Sequence, residues 1–358
     1  MNEAVTHGGP DSGPAAKWDF SSNANVRLQP AALMQTLAET DRSAYPDPSY
    51  VALRSTLAAA SACTPGQIVP TSGSSEGIRR LTLAAMLHGV REVWVPHPGY
   101  GDYAAAASAL GLTVRPWTDA QQALSEVPER ARSTPALWWL CEPCNPTGAS
   151  LPTAFWQALQ TVQAHGVPLT VAIDRAYEPL RLVGADPVPD EVANACWQLW
   201  SPNKSCGLTG VRAGWMQAPQ PSHTPWGPTA AQLDQLAPSW VLSAEGVSLL
   251  SQWHGPEVQT WLVESRQQLA QWQAAQVHAL SELGWTHRPG SVTPFMLSRP
   301  PLRSPSQLPE LLAALRARGI KLRDASGFGL PGWVRWRAHE PAAGRALCLA
   351  LRDLEVAA

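Results

Sequence analysis

From about residue 78 to residue 204, short apolar runs alternate with helical patterns, and nothing else in the 358-residue chain restricts its fold as strongly. The runs REVWVP (91–96), LTVRPW (112–117), ALWWLCEP (136–143), PLTVAIDRAY (168–177) and ANACWQLWSPNK (193–204) read as strands. Between them, IRRLTLAAMLHG (78–89), GYGDYAAAASALG (99–111) and TAFWQALQTVQAHG (153–166) read as helices. Strands that alternate with helices pair in parallel, because each return crossing is made by the helix, and helices then cover both faces of the sheet. The expected fold class is α/β with a mostly parallel sheet. In such sheets ligands bind beyond the carboxyl ends of the strands. Three polar residues fall there: Asn145, Asp174 and Lys204.

The flanks differ from this central pattern. Residues 1–18 are polar and rich in glycine and proline and read as an arm. A helical pattern covers 30–39, YPDPSY (45–50) is a loop, and VALRSTLAAASA (51–62) is a helix. After about 238 one long helical pattern occupies 257–284. The strand patterns SVTPFML, GIKLRDA and GWVRWRA follow, with helices at 306–319 and 342–355. The expected organisation is an arm with part of a small domain over 1–40, a large domain over 41–250, and a smaller α+β domain over 251–358.

Composition excludes several classes. Charged residues make up 15% of the chain and the net charge is −2, with no basic stripe, so nucleic acid is not an expected partner. No window approaches the run of roughly 18 apolar residues that spans a membrane. The first residues carry no basic-then-apolar secretion pattern, and the six cysteines are scattered through a large chain. A cytoplasmic protein with reduced thiols is expected. Cys141 and Cys144 form a C-x-x-C, but no second Cys/His pair follows, and neither metal nor redox chemistry is read from it.

Lysine is scarce: the chain has Lys17, Lys204 and Lys321 against 23 arginines. Lys204 follows the apolar run WQLW and sits among small residues. Burial disfavours an ammonium and lowers its pKa, which suits Schiff-base formation with an aldehyde. Asp174 ends VAID, where a buried carboxylate needs a cationic partner such as a protonated pyridine nitrogen. SGSSEG (72–77) opens a helix whose N-terminal N–H groups suit a phosphate. In NPTG, Asn145 can offer its amide to a ring oxygen, and Tyr100 can stack on a flat ring. Arg323 and Arg335 lie in apolar strand contexts, as arginines that bind carboxylate or phosphate do.

The ordered set of a Gly/Ser turn, tyrosine, Asn-Pro-Thr-Gly, Asp-x-x-Tyr, lysine, an arginine eight residues on and a late arginine resembles the class I/II aminotransferase superfamily. These are the fold-type-I pyridoxal-phosphate enzymes, and the resemblance covers nearly the whole chain. It implies pyridoxal 5′-phosphate as cofactor, with Lys204 bonded to its aldehyde and Asp174 on its pyridine nitrogen. It further implies Asn145 and Tyr177 on the ring oxygen, Tyr100 on the ring face, and Ser74, Ser75, Ser201 and Arg212 on the phosphate. Tyr45 is similar to the tyrosine that reaches into a partner subunit's site, which implies a homodimer with a shared active site.

Within the superfamily, the chain is most similar to the histidinol-phosphate aminotransferase and threonine-phosphate decarboxylase branch. The opening His7-Gly8-Gly9 and the segment WDFSSNANV resemble the decarboxylase, which implies a role in cobalamin side-chain biosynthesis. That resemblance places a small phosphorylated amino acid against His7, Gly8, Asn23, Asn145, Arg323 and Arg335. The chain departs from the pattern at Asn25-Val26, where the family has Asn-Pro. It also departs at Asn203, where the family has Ser or Thr, and in the tail RWRAHEP. These differences bear on the substrate rather than on the cofactor. The resemblance favours a threonine-phosphate-decarboxylase-like activity, with an amino-acid or histidinol-phosphate aminotransferase as the alternative, and the sequence does not fix which bond at Cα breaks.

Overall fold

The computed structural model describes residues 7–163, 166–220 and 226–356. Its centre is a seven-stranded sheet. In spatial order the strands are Ile68–Thr71, Gly214–Gln217, Trp197–Trp200, Leu169–Asp174, Ala136–Cys141, Glu92–Pro96 and Thr113–Trp117. All pairings are parallel except those of Gly214–Gln217, which runs antiparallel to both neighbours. The expected α/β class is therefore observed, as a mixed sheet.

Every residue of Ala136–Cys141 and of Leu169–Asp174 is buried. That is why these strands read as continuous apolar runs, since a strand covered on both faces has no solvent side. Alternation still sorts their side chains between layers. Trp138 packs with Phe155, Trp156 and Val127 under the helices Ala120–Ala131 and Thr153–Gln163. Its neighbour Trp139 faces the opposite layer, against Ile78 and Tyr103 from the helices Ser74–Leu87 and Gly101–Ala109.

A four-stranded antiparallel sheet lies in the C-terminal part, in the order Arg323–Asp324, Val334–Arg337, Phe295–Arg299, Thr286–His287. The helices Pro256–Glu282, Leu308–Ala317 and Pro341–Val356 accompany it. The N-terminal segment joins this region: Trp18–Asp19 pairs in parallel with Ile320–Lys321, and Phe20 is buried with Trp285 and Trp336. Trp336 is fully buried and donates its Nε1–H to Ser298 Oγ at 2.7 Å. Trp336→Ala is expected to cost about 3–5 kcal/mol through the cavity it leaves, read as a lowered denaturation midpoint.

Several elements depart from the sequence reading. Strands Ile68–Thr71 and Gly214–Gln217 are additional, each only four residues long. The helix Ala120–Ala131 was not expected, although Asp119 caps it by accepting from Gln122 N–H. The run at 193–204 is not one strand. It is the end of the helix Asp190–Ala195, the strand Trp197–Trp200, and a short helix Pro202–Ser205 that carries Lys204. Pro202 ends the ladder because it has no N–H to donate, and its fixed φ starts the helix. In SVTPFML the strand begins only at Phe295, after Pro294. GIKLRDA divides at Leu322, with one half pairing to Trp18–Asp19 and the other to Val334–Arg337.

Candidate active site

The carboxyl ends of the central strands open into a cavity of about 620 Å³. Its wall includes His7, Gly8, Asn23, Ser74, Ser75, Tyr100, Asn145, Asp174, Tyr177, Lys204, Arg212, Arg323 and Arg335. These residues lie far apart in sequence and converge because parallel strands end on one side. Ser201 stands just behind the wall, with its hydroxyl 2.5 Å from that of Ser74. Tyr45 is not brought in: it is 77% exposed and stacks on Trp240 with ring centroids 4.2 Å apart.

Lys204 Nζ lies 3.3 Å from Ser74 Oγ and 5.6 Å from the centre of the Tyr177 ring. Burial pulls its ammonium pKa below the ordinary value, against the opposing pull of the Asp174 carboxylate. Its two sequence controls are bound differently. Lys321 pairs with Asp11 at 2.6 Å, and Lys17 lies over the Trp18 ring.

Asp174 is 4% exposed. It accepts from Tyr103 O–H at 2.7 Å on one oxygen and from Ala176 N–H at 2.9 Å on the other. Burial raises its pKa, while the Lys204 charge and both hydrogen bonds oppose the rise. Tyr103 is itself fully buried and stacked on Trp139 at 4.9 Å. Sequence reasoning missed Tyr103. Its signal was its place one helical turn after Tyr100, on the face of Gly101–Ala109 that meets the sheet.

The helix Ser74–Leu87 points its N-terminus at the cavity. Gly73 precedes it with φ +85°, and a Cβ there would stand 2.4 Å from Arg212 Nη2. The glycine thus lets a guanidinium approach the first turn of a helix, next to the Ser74, Ser75 and Ser201 hydroxyls. N–H groups, hydroxyls and a cation in one place make an anion cradle. Ser75 Oγ lies 3.1 Å from Tyr100 O–H, which donates to Asp102 at 2.8 Å.

The opposite wall is built from the smaller sheet and the arm. Arg335 is 4% exposed. Its Nη1 donates to Asn145 Oδ1 at 2.6 Å and its Nη2 to Ser21 O at 2.7 Å, while Nε has no partner among the described residues. Burial pulls its pKa down to about 10. Arg323 lies beside it, and both guanidiniums face the Phe328 ring, at 5.2 and 5.5 Å. Gly8 packs so closely that an added Cβ would stand 2.0 Å from Ser21 O. Gly9 N–H donates to Ser21 Oγ at 2.9 Å, and Lys321 Nζ holds Gly9 O. Asn145 Oδ1 also accepts from Asn23 Nδ2 at 3.4 Å. The Asn145 oxygen is therefore engaged, and its amide N–H₂ is the group left for a ligand.

Among the described residues, no group of three or more His, Cys, Asp or Glu is placed to hold a metal ion, and no helix is long and apolar enough to cross a membrane.

The family model for aminotransferase class I and II matches residues 16–351. A histidinol-phosphate aminotransferase of Ruegeria pomeroyi is 26% identical over 350 residues, covering 94% of this chain and 91% of that protein. Two solved structures share the fold. The histidinol-phosphate aminotransferase of Sinorhizobium meliloti in complex with pyridoxal-5′-phosphate aligns with a TM-score of 0.75 at 20% identity, over 95% of this chain and 92% of that one. The L-threonine-O-3-phosphate decarboxylase of Porphyromonas gingivalis aligns with a TM-score of 0.73 at 21% identity, over 94% and 99%. The fold is that of the fold-type-I enzymes, and with the family match running from residue 16 through both sheets, the chain belongs to the class I and II aminotransferases.

Proposed function

We propose that this chain is a pyridoxal-phosphate enzyme that acts at Cα of a phosphorylated amino acid, with L-threonine O-3-phosphate as substrate and carbon dioxide as product. The donor set fits the cofactor. A buried amine of lowered pKa faces a buried carboxylate across the cavity wall, and the Gly73 cradle offers hydroxyls and a guanidinium to a phosphate. Lys204 would hold the aldehyde carbon and Asp174 the pyridine nitrogen. Asn145 and Tyr177 would hold the ring oxygen, and Tyr100 the ring face. Ser74, Ser75, Ser201 and Arg212 would hold the phosphate. When bound, the cofactor supplies an electron sink for the pair left at Cα when a bond there breaks.

The residues of the chain do the rest. Lys204 Nζ, whose neutral, proton-accepting form is favoured by burial, takes or returns the proton at Cα. Arg335, Arg323 and the His7-Gly8-Gly9 arm orient the substrate, and that orientation selects the bond that breaks. The observation that carries the substrate reading is the wall of two buried guanidiniums under the arm. Threonine phosphate has two anionic groups to match them, a carboxylate and a phosphate. Histidinol phosphate has a phosphate but no carboxylate. The second reading is a histidinol-phosphate aminotransferase, and it is favoured by the name of the Ruegeria relative.

Adding O-phospho-L-threonine to the holoenzyme and recording carbon dioxide separates the two. Release without any 2-oxo acid is the expected result. Conversion to an amine form of the cofactor that a 2-oxo acid reverses would make the enzyme a transaminase instead.

Tyr103 tunes this site through Asp174. Without its O–H the carboxylate loses a donor, so its pKa rises further. Asp174 must be ionised to accept from a protonated pyridine nitrogen. In Tyr103→Phe, cofactor affinity is therefore expected to fall off on the acid side at a higher pH than in the wild type. Titrating cofactor binding against pH checks this; an unmoved acid limb would count against it.

We also read Tyr45 as acting across a homodimer. Its stack with Trp240 leaves both rings exposed, an apolar surface suited to a second copy.

A further inference from the structure

Lys204 is carried by a single helical turn, Pro202–Ser205. One turn closes too few hydrogen bonds to hold itself together in water, and the last carbonyls of any helix lack partners inside it. Ser205 and Cys206 are fully buried, so water cannot supply the missing donors. They come from the segment that follows the N-terminal arm. Asn25 N–H donates to Lys204 O at 2.9 Å, and its Nδ2–H donates to Ser205 O at 3.1 Å. Gln29 Nε2–H donates to Cys206 O at 2.9 Å. Three successive carbonyls, beginning with the lysine's own, are thus capped by two residues. The approach is close: a Cβ on Gly207 would stand 2.5 Å from Asn25 O and 2.8 Å from Gln29 Nε2.

The same segment is tied at its other edge to the smaller sheet. Arg337 Nη1 donates to Ala24 O at 2.7 Å, and its Nε and Nη2 donate to Asp19 O at 3.1 and 2.8 Å. Arg335 Nη2 holds Ser21 O between them. Residues 19–25 therefore form a strap between the strand Val334–Arg337 and the lysine turn. Asn25 is 3% exposed, and its Oδ1 accepts from Arg27 N–H at 3.0 Å. Both polar atoms of its side chain are engaged by main chain, so it acts through its neighbours rather than on a ligand.

We propose that Asn25 is a positioning residue for Lys204: it fixes the main chain beneath the lysine, and the strap ties that main chain to the strand that carries Arg335. What the positioning serves rests on the cofactor reading above; that Asn25 holds Lys204 does not. Without the Asn25 amide, Ser205 O is buried and lacks its donor, a state that folded proteins avoid. The turn relieves it by shifting toward the cavity, where water reaches it, and Lys204 follows. A better hydrated ammonium is favoured over the neutral amine. The titratable groups that act on Nζ are Asp174, Arg212, Cys141 and Asp102. Asn25→Ala changes none of them, so a shift reports the position of the lysine.

The test reads Lys204 in the full-length protein freed of cofactor. Limiting acetic anhydride, applied over a range of pH, acylates the neutral amine and not the ammonium. Cleavage at arginine releases residues 182–212, which contain Lys204 and no other lysine, and Lys17 and Lys321 serve as internal references. In Asn25→Ala, Lys204 is expected to label roughly tenfold more slowly below its midpoint, as for a midpoint about one pH unit higher. Gln29→Ala should move the profile the same way by less. Leu159→Ala, a buried change under the helix Thr153–Gln163, should lower the denaturation midpoint and leave the Lys204 profile in place. In the holoenzyme, Asn25→Ala is expected to lower kcat by roughly tenfold, in proportion to the neutral amine, with KM for O-phospho-L-threonine little changed. A Lys204 profile in folded Asn25→Ala that coincides with the wild type would overturn the proposal, and so would an equal shift in Leu159→Ala. If Asn25→Ala does not fold, Gln29→Ala decides, and an unmoved profile there overturns it. A wild-type protein that forms no visible band with pyridoxal phosphate refutes the cofactor reading and leaves the labelling result standing.

Discussion

Lys204→Ala is expected to lose the visible band of the bound cofactor and at least roughly 10⁴-fold in kcat, the upper range for a positioned proton-transfer group. Two losses combine. On the function proposed above, the amine that takes the proton at Cα disappears, and so does the group that bonds the cofactor. The variant should still fold, because the side chain makes one 3.3 Å contact to Ser74 and fills space at a cavity wall rather than in a core. It should also raise the pKa of Asp174, since the Lys204 charge is the main influence holding that carboxylate down. A single-turnover assay with added primary amine distinguishes proton transfer from structure. Partial rescue by the amine supports the first, and no rescue in a folded variant argues for the second. Activity within tenfold of wild type would remove Lys204 from the chemistry altogether.

Arg335→Ala is the second large effect. Truncating one partner of a buried, hydrogen-bonded charged contact costs about 2–5 kcal/mol, which corresponds to roughly 30-fold to several-thousand-fold in kcat/KM. The structure indicates how that loss divides. Without Nη2, Ser21 O loses its donor and the arm loses its backing, which raises KM. Without Nη1, Asn145 Oδ1 keeps only the 3.4 Å contact from Asn23, so the amide can turn and kcat falls as well. Arg335→Lys should recover little, because an ammonium cannot donate to Asn145 and Ser21 in the planar fork of a guanidinium. An Arg335→Ala variant with unchanged KM for O-phospho-L-threonine would take this residue out of substrate binding. Arg323, which is not tied to Asn145, is expected to affect KM more than kcat.

Much of the architecture was legible before any coordinates, for a physical reason. Strands buried on both faces must be apolar throughout, so WWLC and TVAI announce themselves; helices between them must be amphipathic. What escaped were elements whose signal is shorter than their period. Ile68–Thr71 and Gly214–Gln217 have four residues each, too few to separate a strand from a loop. The helix Ala120–Ala131 did carry a readable cap in Asp119, but Pro128 and a run of polar residues blurred its periodicity.

That Lys204 and Asp174 line one cavity was legible for a related reason. Lys204 and Asp174 are charges in apolar surroundings, and such charges need a purpose that local structure does not supply. Tyr103 was not legible, because a buried tyrosine is ordinary until its hydroxyl is seen 2.7 Å from a carboxylate. The pairing of Arg335 with Asn145 spans 190 residues and belongs to no periodicity. Composition and periodicity are local properties, and they determined the layers of this protein, the strand ends and the identity of the charged residues there. Hydrogen-bond geometry at the cavity is a property of distant segments meeting, and the tertiary structure alone decided which donor each of those residues faces.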